Sequence, residues 1–291
     1  MPSLKEIRTR IASVESTQKI TSAMKLVSAA KLRRAQNAIH SLRPYSNKLN
    51  EILQNLSLDI SDENPLFATR NPENVVVISI TSNRGLCGAF NTNIIKETHR
   101  VINENYKTQL LEKKLRLICI GKKAVEQLQK SYEVMYANEA LLDAPHFEEI
   151  ANIVSGLIDD FIHKKIDKID IVYNRFVNPA TQKITVESFL PIVNLKEKPS
   201  QNRTNSNFIF EPNQEELVNE LIPKILKIQL YKTILDSVAA EHGARMTAMA
   251  KATDNATELL KELKLKYNNV RQAVITNELN EIEGGAEALK N

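Results

Sequence analysis

Two long stretches without helix breakers dominate this chain. No Gly and no Pro occur between Ser3 and Arg43, and between Lys224 and Glu283 only Gly243 interrupts. Seven glycines among 291 residues, against an average usage of about 7%, leave few places for tight turns. The usual helix has about 11–12 residues, so both ends predict helices several times longer. Some sixty helical residues at about 1.5 Å each reach on the order of 90 Å, more than one globular core spans.

The opening Ser3-Leu4-Lys5-Glu6 is a capping-box pattern, with Ser3 and Glu6 each able to satisfy the other's backbone N–H. Ile7, Ile11 and Val14 follow at coiled-coil spacing, but the next positions on that stripe are Gln18 and Thr21. Apolar residues resume at Ile20, Met24 and Val27. A six-residue step at about 100° each turns the stripe by roughly a third of a revolution, so one partner cannot cover both halves. Pro44 is expected to bend or interrupt this helix. At the other end Leu259, Leu263, Tyr267, Val270 and Val274 form a seam, and upstream Ala239, Ala240, Ala244, Ala248, Ala252 and Ala256 allow close helix approach. The economical architecture pairs the first and last helices as a long antiparallel coiled coil, with the middle of the chain inserted between them.

That middle reads as α/β. Val75–Thr81 is a buried strand followed by a loop and a helix opening near Asn91, and the segment around Leu115–Ile120 repeats the pattern. A third amphipathic helix starts near His146, and two strands joined through VNPATQ form a hairpin. The fold class is therefore α/β with a long two-helix shaft and a central Rossmann-like domain, its first strands parallel. The expected boundaries are 1–60 for the first shaft helix, 61–193 for the α/β domain, 194–212 for a loop and short strand, and 213–291 for the last shaft helix. Within the third, the polar, breaker-rich Asn194–Asn207 is expected to be an exposed, mobile loop.

Composition removes several function classes. No window approaches the roughly 20 apolar residues of a membrane span, and the N-terminus lacks the apolar core of a secretory signal; a soluble, intracellular chain is expected. Cys87 and Cys119 suit a reducing compartment and are too few for a disulfide framework. His40, His99, His146, His163 and His242 are scattered and expected on surfaces or helix faces, and no His pair completes a metal site. Through Ser57 ten basic residues face three acidic ones. A basic helix of this kind suits a solvated face, an acidic protein partner or nucleic acid. The near-neutral remainder and 5% aromatic content weigh against nucleic acid, although a scaffold holding an acidic partner or nucleic acid stands as the alternative function. SNRGLCGAFN could cradle phosphate between strand and helix, yet it has only Gly85 and Gly88 and lacks both nucleotide-binding spacings.

Three motifs in order carry a resemblance. IRTRIASVESTQKITSAMKLVSAAKLRRAQ at the N-terminus, ITSNRGLCGAFNTNI in the middle, and AAEHGARMTAMAKATDNATELLKELKLKYNNVRQAVITNELNEI at the C-terminus resemble the gamma subunits of F-type ATP synthases. The resemblance implies a rotor in a ring of three alpha and three beta subunits, touching the epsilon subunit and the membrane c-ring. It implies no catalytic site, cofactor, metal, nucleic acid or membrane insertion of its own. Met24 matches the position facing the acidic lever of beta; Glu241, Arg245, Arg271, Gln272 and Thr276 match positions coupling shaft to ring. Plastid members carry a redox-active cysteine pair in an inserted segment. Asn194–Asn207 holds no Cys, so thiol regulation of that kind is not expected. The family motif begins almost at Met1, which favours a bacterial protein on the cytoplasmic face of the inner membrane.

Overall fold

The computed structural model describes residues 3–56, 65–68, 70–192 and 214–288. Asn194–Asn207, expected as a mobile loop, lies outside the described residues. Two compact units divide the chain, Met1–Ser28 with Met246–Asn291, and Ala29–Arg245.

In the first unit the beginning of α1 (Leu4–Leu56) pairs with the end of α6 (Gln214–Ala288). The capping box forms as the sequence predicts: the Ser3 N–H donates to Glu6 Oε2 at 3.0 Å and the Glu6 N–H to Ser3 Oγ at 3.2 Å. Lys264 meets Glu15, Gln18 donates to Thr257, and Thr21 bonds Thr253. Partner numbers fall along α6 as they rise along α1, so the two helices run antiparallel. The α1 seam does not swing away at Gln18. It continues through Gln18, Thr21 and buried Ser28, because the side chains opposite are threonines that satisfy a polar layer. Ile20 and Val27 are consequently left exposed, and α6 covers only the first of the two apolar stripes. On α6 the buried flank is Ala256, Leu260 and Leu263, whereas Val274 is exposed.

The second unit is built on a five-stranded sheet of order β3-β2-β1-β4-β5. β1 (Val75–Ile80) lies centrally, parallel to β2 (Leu115–Ile120) and β4 (Lys168–Asn178). β3 (Val134–Asn138) adds a parallel edge, and β5 (Thr181–Leu190) closes an antiparallel hairpin with β4. All six β1 residues are buried, the near-continuous apolar run that a sheet covered on both faces requires. On one face Val75, Val77, Leu115 and Leu117 pack against Ile94, Val101 and Ile102 of α2 (Phe90–Asn105) and Ala124 and Leu128 of α4 (Lys122–Leu128). The crossover from β3 to β4 through α5 (Phe147–Ile162) runs back across the sheet. By the right-handed rule it covers the opposite face.

Three local features depart from the sequence reading. α1 is not interrupted at Pro44; Leu32, Ala35, Ser46 and Leu49 keep a buried seam on both sides of it, and packing overrides the lost N–H. β3 was not expected, since its five residues alternate only between half-buried and exposed. The third concerns His242, described below. Geometry requires glycine at one position and favours it at a second. A Cβ at Gly121, where φ is +101°, would stand 2.7 Å from the Thr81 carbonyl oxygen, and one at Gly243 would stand 3.2 Å from Pro179 Cα, where the β4–β5 turn crosses α6.

Ser237 on α6 is buried with a hydroxyl that has no partner among the described residues. Ser237→Ala removes a desolvated polar group and raises helix propensity, so it is expected to stabilise this unit by about 1 kcal/mol. A urea midpoint that fails to rise would show the hydroxyl is partnered.

Candidate functional site

The glycine loop leaves β1 at the point where the winding direction of the sheet reverses, between β1 and β4. In open α/β sheets ligands bind in this crevice. Here the chain fills it: Cys87 and Phe90 pack on Ala240 of α6, with Phe176 and Ala244 beside them. The loop is braced internally. The Ser82 N–H donates to Asn91 Oδ1 at 2.9 Å, Asn91 Nδ2 donates to Ser82 Oγ at 2.7 Å, and Ser82 Oγ donates to the Arg84 carbonyl at 2.7 Å. Left-handed backbone at Leu86 and Gly88 turns the chain toward α6.

Arg245 anchors that turn. Its Nη2 donates to the Arg84 carbonyl at 3.0 Å, Nε and Nη2 both reach the Gly85 carbonyl at 3.3 Å, and Nη1 bonds Glu241 Oε1 at 2.5 Å. The loop therefore presents carbonyl oxygens to a cation. A phosphate cradle presents N–H groups to an anion, so the polarity is opposite to that of the nucleotide-loop reading. Glu241, His242 and Arg245 are all buried, which corrects the surface placement expected for His242. Ala240 and Ala244 pack against Cys87 and Phe90 of the loop region, and the imidazole lies beside Arg245, its Nδ1 3.4 Å from Nη1. Burial, then Arg245 and Lys31, push its pKa down to about 4. Burial pushes the Glu241 carboxyl up against the pull of Arg245. The Cys87 thiol is likewise raised by burial, and that of Cys119 is pushed up to about 12; both are free, buried and poorly nucleophilic at neutral pH.

Of the six residues singled out by resemblance, the structure brings together Glu241 and Arg245. The other four belong to the two-helix unit. Met24 is half-buried on α1, and Arg271, Gln272 and Thr276 are exposed on α6. Around them stand apolar residues that sequence reasoning did not single out: Leu26 on α1, and Ile275, Leu279 and Ile282 on α6, are all exposed. Their signal was available as apolar residues off the seam. Ile20, Leu26 and Val27 on one short stretch of α1 exceed what single scattered surface residues explain. Among the described residues no helix is long and apolar enough to cross a membrane, and no cluster of His, Cys, Asp and Glu is placed to hold a metal.

A family model described as ATP synthase matches residues 3–289. An ATP synthase gamma chain of Flavobacterium johnsoniae is 52% identical over 291 residues, covering 99% of each chain. Another from Cytophaga hutchinsonii is 48% identical over 295 residues and covers 100% of both. Among solved structures, a chain of the Euglena gracilis mitochondrial ATP synthase rotor has a TM-score of 0.64 at 23% identity, covering 94% of this chain and 98% of that one. A second, from the OSCP/F1/c-ring assembly of the same enzyme, has a TM-score of 0.70 at 23% identity over 98% and 94%. These structures share the fold.

Proposed function

The chain belongs to the gamma-chain family of F-type ATP synthases, and from that premise we propose that it is the central-stalk rotor subunit of such an enzyme. It couples c-ring rotation to ATP synthesis or hydrolysis on a ring of three alpha and three beta subunits. The shaft helices belong to 1–60 and 213–291 and the foot to 61–193, while 194–212, expected as a loop and short strand, lies outside the described residues. It has no catalytic site, and works peripherally at the cytoplasmic face of the bacterial inner membrane with epsilon beside it.

The observation that carries this reading is the exposed apolar surface on both helices of the two-helix unit, Ile20, Leu26 and Val27 on one and Ile275, Leu279 and Ile282 on the other. Two different helices cannot present equal faces to three identical neighbours. Unequal contact free energy biases each beta subunit toward a different conformation and nucleotide affinity, and rotation moves that bias from one to the next. Met24, Glu241, Arg245, Arg271, Gln272 and Thr276 remain proposed coupling residues. For Glu241 and Arg245 the braced glycine loop supports an indirect role, holding a surface in place.

ATP hydrolysis by purified alpha and beta subunits, with and without this chain, tests the reading. The full chain is expected to join the ring and change turnover, and a version ending before Leu259 to do so less. Met24→Lys adds a cation opposite an acidic lever, a pair of about 1 kcal/mol, and is expected to shift coupled turnover about fivefold; Gln272→Ala should shift it less. Nucleotide binding to the ring stays intact in both. A chain that neither joins the ring nor alters turnover overturns the proposal.

A further inference from the structure

Two helices of the α/β unit end on the same device. Leu110-Leu111-Glu112-Lys113-Lys114-Leu115 follows α3 (Lys107–Leu111) into β2, and Phe161-Ile162-His163-Lys164-Lys165-Ile166 follows α5 toward β4. Lys113 (φ 56°) and Lys164 (φ 59°) are left-handed. In each turn the second lysine's N–H reaches back five residues, Lys114 to Gln109 at 2.8 Å and Lys165 to Asp160 at 2.9 Å. The left-handed lysine bonds three residues back, to Leu110 and Phe161, both at 3.2 Å. This is the helix-terminating motif that usually places Gly at the left-handed position; here both copies place Lys. The residue two before each lysine is an exposed aliphatic, Leu111 at 77% and Ile162 at 42% of full exposure.

Register puts both turns at one end of the sheet. Val75 of β1 pairs with Leu115 of β2 on one side and Lys168 of β4 on the other, so the strands that the two turns lead into start about 10 Å apart, two strand spacings. Lys114 and Lys165 have carboxylate partners, Glu73 and Glu112 for the first and Asp160 for the second. Exposed Lys107, Lys113 and Lys164 have none among the described residues. Attraction to the helix C-terminus favours a cation near each turn but does not account for an aliphatic exposed beside each one.

We propose that this end of the sheet rests against an anionic lipid surface, with Lys107, Lys113 and Lys164 meeting headgroups and Leu111 and Ile162 dipping into the interface. Protein interfaces are depleted in Lys and enriched in Arg and aromatics. Lysine alternating with aliphatics is the composition of weak, reversible membrane contact.

The test is co-sedimentation of the full chain with vesicles of phosphatidylcholine containing phosphatidylglycerol, against phosphatidylcholine alone. Binding is expected to require the anionic lipid. Each lysine removed lowers partitioning about fivefold, so the Lys113→Gly, Lys164→Gly double variant should bind about 25-fold more weakly while its Tm holds or rises, because Gly relieves the left-handed backbone. Leu111→Ser should weaken binding without altering Tm. Arg33→Gln with Arg34→Gln on α1 controls for attraction by the basic helix and should leave the effect of the double variant in place. The proposal is overturned if the double variant binds like the parent, or if the parent binds both vesicles equally or neither; an acidic protein surface then becomes the better partner. The double variant should still join alpha and beta subunits, and its failure to do so would count against the rotor reading instead.

Discussion

Replacing Arg245 with methionine is expected to destabilise the α/β unit by about 3–5 kcal/mol, the range for removing one partner of a buried ion pair. Methionine keeps much of the stem and its packing, so the loss falls on polar groups. Glu241 is left as a buried carboxylate with no guanidinium, and the Arg84 and Gly85 carbonyls lose their donors. Arg245→Lys should recover little, since one ammonium cannot bond Glu241 and two carbonyls in the geometry of a planar fork. Pairing Arg245→Met with Glu241→Gln should cost much less than the sum of the two single changes, because a neutral amide is tolerated where an orphaned carboxylate is not. Urea unfolding of the four proteins in that cycle measures it. A loss below about 1 kcal/mol for Arg245→Met would mean that water reaches the site and the anchoring is superficial.

The coupling residues therefore divide by mechanism. Arg271, Gln272 and Thr276 are exposed, and substitution there should change turnover of an assembled enzyme without changing the stability of this chain. Substitution of Glu241 or Arg245 should change both, because their contacts lie within the chain. Measuring stability alongside turnover separates the classes, which turnover alone cannot do.

Legibility in the sequence followed the range of the interaction concerned. The two long helices, the capping box at Ser3 and Glu6, the strands around Val75 and Leu115 and the hairpin were visible because each depends on neighbours within a few residues. Of the two outcomes expected at Pro44, interruption does not occur, because the penalty proline imposes is local, while the packing of Leu32, Ala35 and Leu49 that overrides it is tertiary. The polar layer was hidden for the same reason: Gln18 and Thr21 look like the end of an apolar stripe until Thr253 and Thr257, more than 230 residues away, are set opposite. At the candidate site the glycine loop was legible as a turn, but which way its carbonyls point was not. One signal was present. Glu241 and Arg245, four residues apart in an alanine-rich stretch, mark a charged pair where a close-packed helix leaves it little access to solvent.

Acidification should unfold the α/β unit through His242. The ring is buried, and burial first, then Arg245 and Lys31, lower its pKa to about 4 from an ordinary 6.5, while Asp143 acts in the opposite sense. Between those values the unfolded chain binds a proton that the folded chain does not, so stability rises with pH across this window. Present in full above about 6.5, the contribution is lost as pH falls toward 4, and its size is about 3 kcal/mol. Glu241 works the other way: its raised carboxyl gives stability present at low pH and lost as pH rises through its folded value. The raw pH profile mixes the two, and a difference separates them. His242→Gln cannot titrate, so subtracting its stability from that of the parent should give a curve that is flat above pH 7 and falls by about 3 kcal/mol by pH 4, with the variant the more stable protein in acid. Urea midpoints at several pH values provide the curve, and parallel profiles for the two proteins would show that the imidazole is solvated. The site leaves a protonated ring few ways to relax. It would stand beside Arg245, whose Nη1 lies 3.4 Å from Nδ1, and the repulsion would act on the guanidinium that fastens the glycine loop. Protonation of His242 is thus expected to loosen the same loop that Arg245→Met releases, and protease cleavage between Arg84 and Gly88 should appear in both cases and not in His242→Gln.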